Sequence, residues 1–354
     1  MPPTALIAGV TGIVGNNLAQ HLLSKGWQVH GLARRPSPGL EGVHFIAADL
    51  LDPVSLTAAV AHLKPTHIFI TTWLRQPTEK ENIRVNSAMV RNLLTATSAA
   101  GSVQHVALVT GLKHYLGPFE SYGKGTLPAT PFREEQPRLP IDNFYYAQED
   151  EIFAAATQQH FTWSIHRPHT IIGYALGNAM NMGVTLAVYA SLCKATGRPF
   201  TFPGSAVQWN SLTDMTDARL LARHLEWAST TPTTADQAFN IVNGDVFRWS
   251  WMWSRIAAWF ELDPAPLPAE ISPLEKQLED AADTWRALAQ SHNLVEPNID
   301  NLVSAWHTDA DLGRPIEVVT NMSKSRKLGF LDYQPTEDSF LDLFTTLRKQ
   351  RIIP

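Results

Sequence analysis

Four apolar residues, Ala5-Leu6-Ile7-Ala8, run directly into Gly9, and glycine recurs as Gly9-x-x-Gly12-x-x-Gly15 before Leu18, Leu22 and Leu23 set a helical spacing. Strand, glycine turn and helix in that order form one half of a βαβ unit, which commits a chain to a parallel sheet. The alternation carries on. Residues 27–32, 43–46, 66–71, 106–109 and 162–165 have the composition of further strands, alternating with helical stretches. Parallel strands need long crossovers that pack back on the sheet, so the expected fold is α/β and doubly wound.

Beyond Pro168 the alternation fades. The Trp-rich stretch 249–259, and a helix expected over 274–288 with Leu274, Leu278, Ala281, Trp285 and Leu288 on one face, predict a smaller, mainly helical C-terminal lobe. The proline-rich stretch 263–268 reads as a semi-rigid connector inside it. A chain of 354 residues is long enough for two such bodies. The expected division gives residues 1–180, with a returning segment near 208–245, to the sheet, and 181–207 and 246–354 to a substrate lobe.

Composition narrows the function classes. Twenty-eight basic against 33 acidic side chains leave a net charge of −5 with no long block of like charge, so no nucleic-acid partner is expected. Cys193, the single cysteine, excludes an intramolecular disulfide and any zinc site built on several thiolates, and fits a reducing compartment. Residues 1–6 carry no basic leader pattern, and the apolar stretch 183–193 stops at Lys194, short of a membrane span. The expectation is a cytoplasmic protein with no membrane partner. No metal is expected either, because His166 and His169 lack companion ligand motifs.

The glycine turn is the first chemical signal. Gly9, Gly12 and Gly15, with Thr11 and Val14 between them, stand where backbone N–H groups and the positive end of a helix meet a pyrophosphate; the plain alternative is a tight packing turn. On the first reading the sheet is of the Rossmann type. After the second strand an NAD-binding chain usually offers a carboxylate to the ribose, whereas this sequence reads Ala33-Arg34-Arg35-Pro36. Two guanidiniums at that corner suit a 2′-phosphate, which makes NADP(H) the expected cofactor; the alternative is a solvated basic turn. Asp49-Leu50, after the third strand, is placed either to cap an adenine amino group or to cap the next helix.

A short-chain dehydrogenase normally carries Tyr with Lys four residues later, the ammonium lowering the phenol's pKa. None of the seven tyrosines here has that lysine: Tyr145 is followed by Glu149 at that distance, and Tyr146 by Asp150. Two longer segments explain the departure. Val109-Thr110-Gly111-Leu112-Lys113-His114-Tyr115-Leu116-Gly117-Pro118-Phe119-Glu120 and Asn143-Phe144-Tyr145-Tyr146-Ala147-Gln148-Glu149-Asp150 closely resemble motifs of the progesterone 5β-reductase/iridoid synthase-like family of extended short-chain dehydrogenases/reductases. The resemblance runs over nearly the whole chain, through Thr72-Trp73, His166-Arg167-Pro168, Asn243-Gly244-Asp245-Val246-Phe247 and the ending Ile352-Ile353-Pro354.

The resemblance implies NADPH-dependent 1,4-reduction of an activated C=C bond. It implies Lys113 and Tyr145 as catalytic residues, with Tyr146 as the neighbouring alternative. It also implies that Thr72, Trp73, Thr110 and Pro168 join the glycine turn, Arg34, Arg35, Asp49 and Leu50 at the cofactor, and that Trp73, Phe119 and Tyr145 line the site of a small hydrophobic enone or enal. His169 stands where the family has a small residue, which predicts a changed pocket width or changed contacts to the nicotinamide. A homodimer is the expected assembly.

The missing lysine has a chemical reason on this reading. Hydride delivered to the β-carbon of an enone moves negative charge onto the carbonyl oxygen, and a neutral phenol aimed at that oxygen stabilises the enolate. A phenol that keeps its proton suits that task. Lys113, on the loop after the fifth strand, is then expected near Tyr145, holding it or the nicotinamide ribose. Two other functions compete: a carbonyl reductase or nucleotide-sugar-modifying enzyme, which the absent Tyr-x-x-x-Lys pattern argues against, and an NADPH-sensing scaffold without turnover.

Overall fold

Successive residues of the central strands cover opposite faces of one sheet. Leu6, Ala8, Ile68, Ile70, Val106 and Leu108 pack into one apolar core, and Ala5, Ile7, Phe69 and Ala107 into another on the far side. A strand buried on both faces reads as a continuous apolar run, which is why these segments stood out in the sequence. The computed structural model describes residues 2–36, 39–118, 121 and 129–354.

In chain order come β1 (Thr4–Ala8), α1 (Ile13–Ser24), β2 (Gln28–Ala33), β3 (His44–Ala47), α2 (Pro53–Val60), β4 (His67–Ile70), α3 (Glu79–Ser98), β5 (His105–Val109), α4 (Lys113–Leu116), α5 (Phe144–Gln159) and β6 (Thr162–Pro168). There follow β7 (Ile171–Ile172), α6 (Met182–Thr196), α7 (Ala206–Asn210), β8 (Thr216–Asp217), α8 (Ala218–Thr230), β9 (Gln237–Ile241), α9 (Trp249–Trp259), α10 (Leu274–Gln277), α11 (Ala281–Ser291), α12 (Ala305–Leu312), α13 (Ser323–Lys327) and α14 (Thr336–Lys349). Seven strands form a parallel sheet in the order β3-β2-β1-β4-β5-β6-β9, and β7 pairs with β8. α2, α3 and α5 cover one face of the large sheet, α1 and α8 the other. The strand order reverses at β1 and β4, and a crevice opens beyond their carboxyl ends.

The helical lobe has its own core. α6 is buried from Met182 to Cys193, and around it gather Trp249 and Trp253 of α9, Trp285 of α11, and Phe340 and Phe344 of α14. Phe200 stacks on Trp253 with ring centroids 4.1 Å apart. The end of the chain serves both bodies: Met322 and Phe330 join the core between the sheet and α8, while α14 closes the lobe.

Four local expectations are corrected. The sheet has a seventh strand, β9, whose Gln237 and Asn240 interrupt the apolar pattern; Asn240 is nevertheless buried, accepting a hydrogen bond from the Tyr115 hydroxyl at 2.7 Å. The helix expected over 274–288 is broken at Leu278 (φ −109°, ψ 4°) into α10 and α11. The Asp309 carboxylate ties the start of α10 to α12 by accepting from the N–H groups of Leu274 and Glu275 at 2.8 and 2.9 Å, and Trp285 fills the lobe core from a separate helix. Lys113 does not lie on a loop but opens the single-turn helix α4. Asp49 does not cap a helix: it accepts from the Leu51 N–H at 2.9 Å in a tight turn, and Asp52 caps α2 through the Ser55 N–H.

Candidate active site

Glycine is required at two positions of the turn by packing alone. Gly9 has φ +88°, and a Cβ there would lie 2.6 Å from the Cβ of Thr72; a Cβ on Gly15 would lie 2.2 Å from the Gly9 carbonyl oxygen. Gly12 differs. At φ −80° a Cβ on it would meet nothing nearer than 3.4 Å, so the chain's own packing leaves room there that a close-lying ligand can use. α1 also has no side-chain cap, and the backbone N–H groups of its first turn open on the crevice. These features fit a dinucleotide phosphate.

Two cavities meet at Gly9, Thr11 and Thr72. One runs out along Ala33, Arg34, Arg35, Asp49 and Leu50, with both arginines exposed at its rim and neither in an ion pair among the described residues. The other, of ≈ 330 Å³, runs inward past Gly12, Val14, Trp73, Thr110, Lys113, Tyr145 and Pro168. Apart from Gly15, which supports the turn from behind, Tyr146, which lines neither, and Phe119, which lies outside the described residues, the residues assigned to the cofactor, the substrate or catalysis all reach one of these two cavities.

Tyr145 sits in the first turn of α5 because Asn143 caps that helix. The Asn143 side-chain oxygen accepts from the Tyr145 N–H at 3.0 Å, and its Nδ2 donates to the Lys113 carbonyl at 2.8 Å. One buried amide thus fixes both catalytic candidates, a role the sequence hid: an asparagine before a helix signals a cap, but nothing local names its second partner. Glu79 adds a further tie, accepting from the Phe144 N–H at 2.7 Å.

The Tyr145 hydroxyl lies over the backbone of Gly111, where a Cβ would come within 3.3 Å of it and 3.4 Å of the Pro168 carbonyl oxygen. Burial pushes its phenol well above the usual range, and the carboxylates of Glu79 and Asp311 add to the rise. Tyr145 keeps its proton. Tyr146 faces elsewhere: its hydroxyl donates to the His114 carbonyl at 2.6 Å and accepts from the Leu139 N–H at 3.0 Å.

The Lys113 ammonium is buried among rings, 4.8 Å from the centroid of Trp73, 5.0 Å from Phe144 and 6.0 Å from Tyr145. Where short-chain dehydrogenases carry their helical lysine, Glu149 is buried and held by Arg138 at 2.8 Å and Arg167 at 3.6 Å. No cation can lower the Tyr145 pKa from that position. The inner cavity also has residues that the sequence did not announce: His307, Asp311 and Arg314 from α12 and the turn after it face His169 and Thr170.

The PRISE-like Rossmann-fold domain family matches residues 52–354. This chain belongs to that family. The PRISE-like chain is 36% identical to the (S)-8-oxocitronellyl enol synthase CYC2 of Camptotheca acuminata, over 99% of its own length and 93% of that protein's. It is 37% identical to the 3-oxo-Delta(4,5)-steroid 5-beta-reductase of Arabidopsis thaliana, with the same two coverages of 99% and 93%. Membership places it among the extended short-chain dehydrogenases/reductases, as an oxidoreductase. The fold is shared more widely: the Bordetella bronchiseptica enzyme WbmG, solved in complex with NAD and UDP, superposes with a TM-score of 0.68 at 16% identity, covering 100% of this chain and 97% of that one. Among the described residues no helix is long and apolar enough to cross a membrane.

Proposed function

We propose that this protein is an NADPH-dependent ene reductase that adds hydride to the β-carbon of a small enone or enal. The observation that carries the reading is Tyr145: a buried, protonated phenol at the inner cavity, with Glu149 in place of the lysine that would ionise it. The names of its relatives agree with that chemistry. An enol is what an enone becomes when hydride reaches its β-carbon and a proton its oxygen, and a 5-beta-reductase saturates a C=C bond.

The residues present fit NADPH. The turn at Gly9 and Gly12, whose own N–H groups are taken by the Leu32 and Gly9 carbonyls, would bring its phosphates to the N–H groups of Thr11 and Val14, with Arg34 and Arg35 on its 2′-phosphate, Asp49 and Leu50 on its adenine, and Thr72, Trp73, Thr110 and Pro168 on its inner half. When bound it supplies the hydride. Tyr145 donates a hydrogen bond to the substrate's carbonyl oxygen and strengthens it as charge collects there. Lys113, kept dry by its ring neighbours, contributes a positive field toward the same oxygen. Trp73 supplies an apolar wall, and Phe119 is assigned a second one on the sequence resemblance.

Incubation of the pure protein with NADPH and 2-cyclohexen-1-one tests the proposal. Cyclohexanone is the expected product. Allylic alcohol as the sole product contradicts the regiochemistry, and failure to oxidise NADPH with any enone contradicts the reading itself.

A further inference from the structure

The inner cavity has a polar wall that plain enone reduction does not use. Arg314 is only 4% exposed; its Nη2 donates to His169 Nε2 at 2.9 Å and its Nε to the Asp311 carbonyl at 2.9 Å. Because a guanidinium can only donate, His169 Nε2 is the acceptor and its proton sits on Nδ1, which donates to Asp214 at 2.8 Å. Asp214 is fixed in turn by the Thr320 N–H at 2.6 Å. The Asp311 carboxylate accepts from the Thr170 hydroxyl through Oδ2 at 2.5 Å, while Oδ1 lies 3.7 Å from Arg314 Nη2, beyond hydrogen-bond reach. Among the described residues, Arg314 Nη1 and Asp311 Oδ1 therefore have no hydrogen-bond partner, and both residues line the cavity that holds Tyr145.

A donor and an acceptor side by side are complemented by a group that both accepts and donates. A hydroxyl does both. A carbonyl answers Arg314 alone, a carboxylate meets the charge of Asp311, and an alkyl group covers both cavity-facing atoms without giving either a hydrogen bond. We infer that Arg314 and Asp311 select enones or enals bearing a hydroxyl group placed to reach both while Tyr145 meets the carbonyl oxygen, with His169 as the positioning residue that aims Arg314. This rests on the ene-reductase reading. It also gives His169 a purpose: a small residue there would leave the Arg314 fork without its anchor.

The test is a matched panel of cyclohexenones carrying hydrogen, a hydroxymethyl group or a carboxylate on the saturated part of the ring. Wild-type kcat/KM is expected to favour the hydroxymethyl compound over the unsubstituted one by about tenfold or more, and to disfavour the carboxylate. Arg314→Lys and His169→Ala should bring the hydroxymethyl-to-hydrogen ratio toward one, and His169→Gln, which keeps an acceptor toward Arg314, should restore part of it. Asp311→Asn should improve use of the carboxylate compound, and being close in size it reports even if the other variants fold poorly. Turnover of cyclohexenone with no preference among the three, or with the carboxylate preferred, overturns the inference and leaves the reductase reading standing. Turnover of none of them overturns that reading instead.

Discussion

Tyr145 and Tyr146 are adjacent phenols in different surroundings, and their hydrogen bonds divide them. The Tyr146 hydroxyl is spent on the His114 carbonyl and the Leu139 N–H, whereas the Tyr145 hydroxyl faces the cavity. Tyr145→Phe should therefore lower kcat for cyclohexenone about a hundredfold, on the order of 3 kcal/mol, while NADPH still binds. Tyr146→Phe should leave kcat within a few-fold and cost about 1 kcal/mol of stability. Steady-state kinetics with thermal melts on both variants checks the pair, and equal losses of rate contradict the division. At this scale the sequence told most where the usual pattern fails: Lys113 and Tyr145 stood out because the usual lysine is missing and a longer pattern replaces it, and the structure brings both to one cavity. Asn143 was not, since its bond to the Lys113 carbonyl joins positions brought together only by the fold.

The βα turn between β1 and α1 makes different demands on each of its glycines. Gly15→Ala pushes a Cβ to 2.2 Å from the Gly9 carbonyl oxygen, backbone that cannot yield, so the variant should be strongly destabilised or fail to fold. Gly12→Ala meets only 3.4 Å contacts and should lose no more than about 1 kcal/mol of stability, yet bind NADPH markedly less well. Melting temperatures paired with cofactor titration distinguish the two, and wild-type cofactor affinity in Gly12→Ala contradicts the phosphate site. The central strands were readable because burial on both faces leaves no polar alternation to confuse the pattern. β9 escaped because an edge strand with Gln237 and Asn240 carries a weaker signal, and the break at Leu278 escaped because the apolar spacing runs on across it from Leu274 to Trp285.

Across the molecule, a chain of buried side chains crosses from the sheet to α8 and α13: His105 meets Ser164 at 2.9 Å, Ser164 meets His166 at 2.8 Å, His166 meets His224 at 2.9 Å, and His224 meets Ser325 at 3.0 Å. Burial pushes His105 and His224 down to about 3 and His166 well below its ordinary value of 6.5. Below about pH 6.5 the unfolded chain takes up protons that these folded imidazoles refuse, so stability is full above that pH and falls as the pH drops toward 3. Each imidazole contributes a slope of at most about 1.4 kcal/mol per pH unit. Urea midpoints at about pH 7.5 and about pH 5.5 should differ, the lower pH being the less stable, and equal midpoints contradict the account. The division into sheet and helical lobe was legible from periodicity, but the polar wall of Arg314, Asp311 and His169 was not, because His169 lies far along the chain from Asp311 and Arg314 and only the fold brings them together. Whether the assembled cavity does what its phenol implies is read most directly by isotope. With NADPH deuterated at the transferred position and 2-cyclohexen-1-one as substrate, deuterium should appear on the β-carbon of cyclohexanone, at a rate that collapses in Tyr145→Phe; deuterium on a carbinol carbon, or a Tyr145→Phe rate equal to wild type, would contradict the account.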